Sequence, residues 1–253
     1  MTGRQKEIIG ILNREVKPAL GCTEPIAVAL AVAKAAEILG ENCSCLCRRK
    51  ADFRIDVSVS ANILKNAMGV GIPGTGMVGI PIAAALGAVC GNSSLGLEVL
   101  SGLTGEDVAR ARELVAGKAV NISVADTPHL LYVKATVSAP GLVSASAELD
   151  PHASAVIEDN HDRIVETSFA DRILMSSESG ASGQSEAAEY GLSVREILDF
   201  AETAPFEEIS FILGDRTLNL ALAREGLEGN YGLRVGKAIR ENQKEVFGDD
   251  FLS

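Results

Sequence analysis

The sequence predicts an α+β protein, with helices around a largely antiparallel sheet. Two observations carry this. Segments with helical periodicity gather toward the two ends of the 253-residue chain, while residues 119–169 break into short β-rich runs separated by Pro, Gly, Asp and Asn. The order is helices, one strand, helices, a meander, then helices again, which is the α+β arrangement. No repeat of solenoid length is present, and the length suits one large domain or two small ones.

The elements follow in order. Residues 4–16 read as an amphipathic helix. A second helix is expected over 24–39. Thr23 is a good N-cap, Glu24 puts negative charge in the first turn, and Pro25 falls where no amide donor is missed. From Ile26 on, Val28, Leu30, Val32, Ile38 and Leu39 stand among alanines, so this helix is apolar nearly all round and expected to be buried. Local physics explains Thr23, Glu24 and Pro25, but not Cys22. "FRIDVSVS" (53–60) alternates with period two and reads as a strand, and "ANILKNAMG" follows as a short helix. After a glycine-rich loop come "PIAAALGAV" (81–89) and, capped by Thr104, "TGEDVARARELVAG" (104–117), both helical. The meander comprises "AVNISVA", "LLYVKATVS", "GLVSASAEL", "ASAVIED" and "RIVETSF". Ser and Gly then make 176–191 a loop or linker, and helical patterns return in "SVREILDFAETA", "FEEISFILGDRTLNLALAREGL" and "GLRVGKAIRENQKEVFG".

Composition narrows the function. A net charge of -11 argues against nucleic acid, whose phosphates need clustered Lys and Arg. Residues 69–97 carry no charge, but Pro73, Pro81 and repeated glycines break the run well short of the roughly 20 residues a membrane span needs. The amphipathic, charged start is no signal peptide, and five cysteines, an odd number, point to reduced thiols in the cytoplasm. "CSCLC" (43–47) suits one face of an extended, variable connection better than a zinc knuckle.

"GVGIPG" (69–74) and "GTGMVG" (74–79) both fit G-x-G-x-x-G. A dinucleotide-dependent enzyme would need a strand ending at the first glycine, whereas polar "ANILKN" separates the strand from it. A backbone-rich cradle for a small carboxylate, with Thr75 adding a hydroxyl, fits these residues better. Tight, glycine-lined helix packing is the alternative.

Three segments then converge. "VKPALGCTEPIAVALA" (16–31), "VSANILKNAMGVGIPGTGMVGIPIAAALGA" (59–88) and "LNLALAREGLEGNYGLRVG" (218–236) resemble the N-terminal half of the L-cysteine desulfidase family. That family, long catalogued as uncharacterised UPF0597-type proteins, is related to the iron-sulfur L-serine dehydratases. The resemblance runs from about residue 8 to 240. It implies that residues 1–253 form the N-terminal, substrate- and cluster-side part of an oxygen-sensitive lyase carrying a [4Fe-4S] cluster. Such a lyase converts L-cysteine to pyruvate, ammonia and sulfide, or L-serine to pyruvate and ammonia. Cys22 matches the family's N-terminal cluster ligand. The other cluster cysteines belong to a C-terminal half, or a partner subunit, that this sequence lacks. Three thiolates leave one iron open as a Lewis acid. A homo-oligomer and a small amino-acid substrate are further implied.

Elimination also needs a base and a clamp for the substrate's charged ends. Lys65 and Glu24 are the candidate catalytic residues, and Thr23, Asn62, Asn66, Gly74, Thr75 and Gly76 the candidate substrate-binding ones. The alternatives are that Lys65 is a solvated helix lysine, Glu24 a dipole partner of its helix and Cys22 a buried inert thiol. His152 and His161 read as surface-turn histidines. A different class of function stays open beside the lyase: a non-catalytic binding or assembly module.

Overall fold

The computed structural model describes residues 1–19, 21–43, 46–141, 150–177, 191–230 and 233–247. The expected strand "GLVSASAEL" and most of the 176–191 loop fall outside these. The chain forms two compact units: Ala19–Ser179, and a second built from Met1–Pro18 with Gly180–Ser253.

The first unit contains α2 (Thr23–Asn42), β1 (Arg54–Val59), α3 (Ala61–Ala67), β2 (Gly71–Ile72), β3 (Met77–Val78), α4 (Ile80–Cys90) and α5 (Gly105–Ala116). Strands β4 (Val120–Val124), β5 (Tyr132–Ser138), β6 (His152–Glu158), β7 (Ile164–Phe169) and β8 (Arg172–Ser176) follow. One six-stranded sheet runs β4-β1-β5-β6-β7-β8, antiparallel except for the β1–β4 pair. The α+β expectation holds. The first strand of the expected meander does not join the hairpins: β4 crosses back and pairs in parallel with β1, Ile55 opposite Val120. The meander instead gains β8, beyond the expected end at 169.

Helix α2 packs on β5 and β6 and, most extensively, on α4, and α5 backs α4. Val28, Leu30, Val32 and Leu39 are fully buried, as an all-round apolar helix must be. Alanines and glycines let α2 and α4 meet backbone to backbone. A Cβ placed on Gly87 would stand 2.5 Å from the carbonyl oxygen of Ala29. Helix α5 starts at a reciprocal cap, in which the Thr104 hydroxyl accepts from the amide of Asp107 at 3.2 Å and the Asp107 carboxylate accepts from the amide of Thr104 at 3.1 Å.

The second unit holds α1 (Gly3–Glu15), α6 (Val194–Thr203), α7 (Phe206–Ile209), α8 (Gly214–Glu228) and α9 (Val235–Phe247). Thr2 with Gln5 and Ser193 with Glu196 cap α1 and α6 in the same reciprocal way. Polar contacts join these two helices: Arg4 to Glu196 at 3.0 Å and Gln5 to Thr203 at 3.2 Å. No helix among the described residues is long and apolar enough to cross a membrane.

Candidate functional site at the head of helix α2

Cys22, not Thr23, is the N-cap of α2. Its backbone is extended (φ -68°, ψ 131°), so the helix begins one residue earlier than the Thr23 cap implied, and Thr23 opens the first turn. The Cys22 side chain makes no capping bond to a helix amide. Its thiol donates instead to Glu24 Oε2 at 2.7 Å. The second oxygen of the same carboxylate, Oε1, accepts from Asn66 Nδ2 at 3.0 Å. Glu24 therefore ties the head of α2 to α3 across 42 residues of chain.

The sequence places α3 where it can make this link. Ser60 accepts from the Ile63 amide as the helix cap and donates its hydroxyl to the Leu130 carbonyl at 2.7 Å. Its amide donates to the Tyr132 carbonyl at 3.0 Å, which fixes the start of α3 to the start of β5. Asn62 and Asn66 are one turn apart and Lys65 is three residues beyond Asn62, so the three share a face of α3. Asn66 is half-buried against Glu24, while Asn62 and Lys65 are exposed.

The glycine-rich loop reaches the same place. Residues 73–76 form the turn between β2 and β3, and a Cβ on Gly21 would lie 3.6 Å from Pro73 Cγ, so the chain entering α2 leans on this turn. Gly74 and Gly76 hold it with φ of 77° and 64°, values costly for any residue with a side chain. Thr75 is buried, and its hydroxyl donates to the Ile72 carbonyl at 2.7 Å and accepts from the Met77 amide at 3.0 Å. That hydroxyl braces the turn from inside, while Gly74 and Gly76 present the exposed backbone. Arg112, on α5, donates to the Thr75 carbonyl from the other side. A helix intervenes between β1 and Gly69, so neither glycine fingerprint has the strand–turn–helix context of a dinucleotide site.

His161 completes the cluster. It stands half-buried in the β6–β7 connection, within the electrostatic reach of Glu24. Burial pushes its pKa down, against the opposing pull of Glu24 and Asp162. Burial, then the bond to Glu24, pushes the Cys22 thiol up. Burial would raise Glu24 as well, but the Cys22 thiol, its own amide, Asn66 and His161 outweigh that and hold it below the usual carboxylate range. These directions favour the thiol form of Cys22 and the ionised form of Glu24, and they make His161 harder to protonate than a free imidazole. The reading of His161 as a turn residue fits its place between β6 and β7, but not its half-burial within electrostatic reach of Glu24, 137 residues away in sequence.

The remaining described cysteines lie elsewhere. Cys43 ends α2, about 30 Å from Cys22 along a 20-residue helix. Cys47 is exposed beyond it. Cys90, at the end of α4, donates to the Leu86 carbonyl and is pushed up to about 11, burial being the main cause. Among the described residues, no group of three or more His, Cys, Asp or Glu is placed to hold a metal ion. Of the described cysteines, Cys22 is the one at the head of α2, and Cys45 lies outside the described residues.

Comparison with known proteins gives a consistent relative. The chain is 41% identical over 242 residues to a UPF0597 protein of Phocaeicola vulgatus, covering 95% of this chain and 52% of that protein. It is 43% identical over 251 residues to one of Bacteroides thetaiotaomicron, at 98% and 54% coverage. It is 44% identical over 243 residues to one of Oleidesulfovibrio alaskensis, at 96% and 53%. This similarity supports the UPF0597 family. The chain spans about half the length of the curated relatives it matches. No family model and no solved structure matches it.

Proposed function

We propose, from the similarity to the UPF0597 proteins and the cluster at the head of α2, that this chain is part of an iron-sulfur β-eliminating lyase. Its substrate is a small β-substituted amino acid, L-cysteine or L-serine. The observation that carries the reading is the convergence of Cys22, Glu24 and Asn66, from two segments some 40 residues apart, beside a glycine turn. A shared core brings apolar residues together. It does not require a carboxylate bonded to a thiol on one side and an amide on the other.

Cys22 supplies one thiolate, and the other cluster ligands come from protein outside this chain. A bound [4Fe-4S] cluster, with Cys22 as one of the residues that would hold it, would supply Lewis acidity toward the leaving group. Glu24 Oε2 is the acceptor already aligned for the Cys22 proton when the thiol becomes a ligand. The exposed backbone of Gly74 and Gly76 and the amide of Asn62 suit a substrate carboxylate. Lys65, exposed on the face that also bears Asn66, carries the charge to pair with the substrate carboxylate. Loss of the α-proton and the β-substituent leaves an enamine, whose tautomer is hydrolysed to pyruvate and ammonia.

The test is complementation: this chain produced together with the part of a UPF0597 relative outside the matched region, under anaerobic conditions, assayed for pyruvate and sulfide. Turnover that disappears with Cys22→Ser supports the lyase. That Cys22 is the one thiol at this cluster among the described residues favours a second reading, a non-catalytic assembly module. Under that reading the complex forms, holds a cluster and turns nothing over.

A further inference from the structure

The described residues of the second unit bury little apolar surface. Among its described residues, Ile8 and Phe200 are the buried apolar side chains. A unit of this length ordinarily buries well over half of its chain's surface. Helix α6 carries Val194, Ile197 and Leu198 at i, i+3 and i+4, which is a core-facing stripe, and all three are at least half exposed. In α8, Leu218, Leu220 and Leu222 point in more than one direction around the helix, a pattern that belongs to a buried helix. Each is more than 40% exposed, and the helix buries no residue.

We propose that α6 and the 218–222 stretch of α8 are the seat for the protein segment that makes up the rest of a UPF0597-length chain, whether continuous with this sequence or supplied as a separate polypeptide. The occupant is argued from length. Relatives that match 92–100% of this chain devote only 52–54% of their own length to it, so a body of similar size accompanies this half in each of them. A partner that wraps α8 explains why leucines stand on several of its sides, which a flat face would not require. The inference builds on the proposed function only in that more protein is needed. Docking is scored without cluster or turnover: intact docking with no activity would count against the lyase alone, and activity without docking here would count against the seat alone.

The experiment is hydrogen exchange and binding on the full chain, free and co-expressed with the portion of the Bacteroides thetaiotaomicron UPF0597 protein outside its match. The free chain, monomeric at low concentration, should exchange amides in Gly214–Glu228 within seconds while α2 stays protected. The complex should slow exchange in α6 and α8 at least tenfold. The double variant Leu218→Asp, Leu222→Asp should weaken association at least a hundredfold and leave exchange in the sheet unchanged. A single Leu220→Lys variant serves as the independent check and should weaken it at least tenfold. Three results would overturn the proposal: α8 protected in the free monomer, α8 protected only in dimers of this chain (which makes a second copy the occupant), or association that none of these substitutions alters.

Discussion

Replacing Gly87 by Ala should destabilise the first unit, although in most helices the same change stabilises. The added Cβ would sit 2.5 Å from the Ala29 carbonyl oxygen, 3.1 Å from its Cα and 3.2 Å from its carbonyl carbon. Unstrained contacts of this kind need about 3.5 Å, so α2 and α4 would have to part by close to 1 Å. All the offended atoms are backbone of Ala29, which is fully buried in α2, so no side chain can swing away. Overpacking of this sort costs about 1–3 kcal/mol. Helix propensity returns about 1 kcal/mol; a clash with backbone that cannot turn aside belongs to the upper part of the overpacking range, about 2–3 kcal/mol, which leaves a net loss of about 1–2 kcal/mol. Urea unfolding followed by far-ultraviolet circular dichroism should show a lower midpoint at unchanged slope, and the melting temperature should fall by about 2–8 °C. The sign discriminates. A variant as stable as the parent, or more so, would mean that propensity dominates and that the α2–α4 contact has room the geometry denies it.

Other substitutions probe other parts of the structure. Asp107 is 1% exposed and accepts from the Thr104 hydroxyl at 2.7 Å and from Arg49 Nε at 2.7 Å, so Asp107→Ala should cost about 2–4 kcal/mol in the same assay. Burial pushes the Asp107 carboxyl upward, but Thr104 and Arg49 outweigh it and hold the group below its ordinary value. Its contribution is therefore complete above the unfolded value of about 3.9 and lost as pH falls through the lower folded one. The wild type should lose stability on acidification below about pH 4 more steeply than Asp107→Asn. In the metal-free chain, Glu24→Gln removes the charge that helps hold the Cys22 proton, and Cys22 should be alkylated by iodoacetamide on the order of three to ten times faster at pH 8. Peptide mass spectrometry should find Cys90 unchanged by that substitution. Equal Cys22 rates in the two proteins would mean the Cys22–Glu24 bond does not persist in solution.

Local chemistry was legible in the sequence wherever a residue and its partner lie within a few positions. The all-round apolar pattern of Ile26–Leu39 marked the buried helix, Thr104 marked a cap, period-two alternation marked β1, and β-rich runs between turn residues marked β5, β6 and β7. The Thr23 cap was off by one: Cys22 has the extended cap backbone and Thr23 opens the first turn, a boundary that side-chain propensity does not fix to the residue. The place of β4 was not legible, since nothing in "AVNISVA" says that its partner is β1, reached by a crossover through α3, α4 and α5. At the candidate site, Cys22, Glu24 and Asn66 were readable from the segments that resemble the lyase family, and the structure gathers them. Thr75 was read as reaching outward to a carboxylate, but its side chain bonds inward, because a tight turn with glycines on both sides must satisfy its own carbonyls. His161 carried one weak signal, a histidine in the polar turn "DNHDR", and only the return of β7 beside β6 brings it near Glu24. Arg112 carried none.

Under the proposed function, Cys22 provides one ligand to a cluster whose other ligands come from outside this chain. Anaerobic reconstitution with iron and sulfide, followed by iron-sulfur absorbance and bound-iron analysis, measures it directly. The chain alone should retain little iron after desalting. The chain co-purified with the remaining part of a UPF0597 relative should hold four irons per complex, and Cys22→Ala in that complex should lose most of them. A stoichiometric cluster on the isolated chain, or an undiminished one in the Cys22→Ala complex, would contradict the claim.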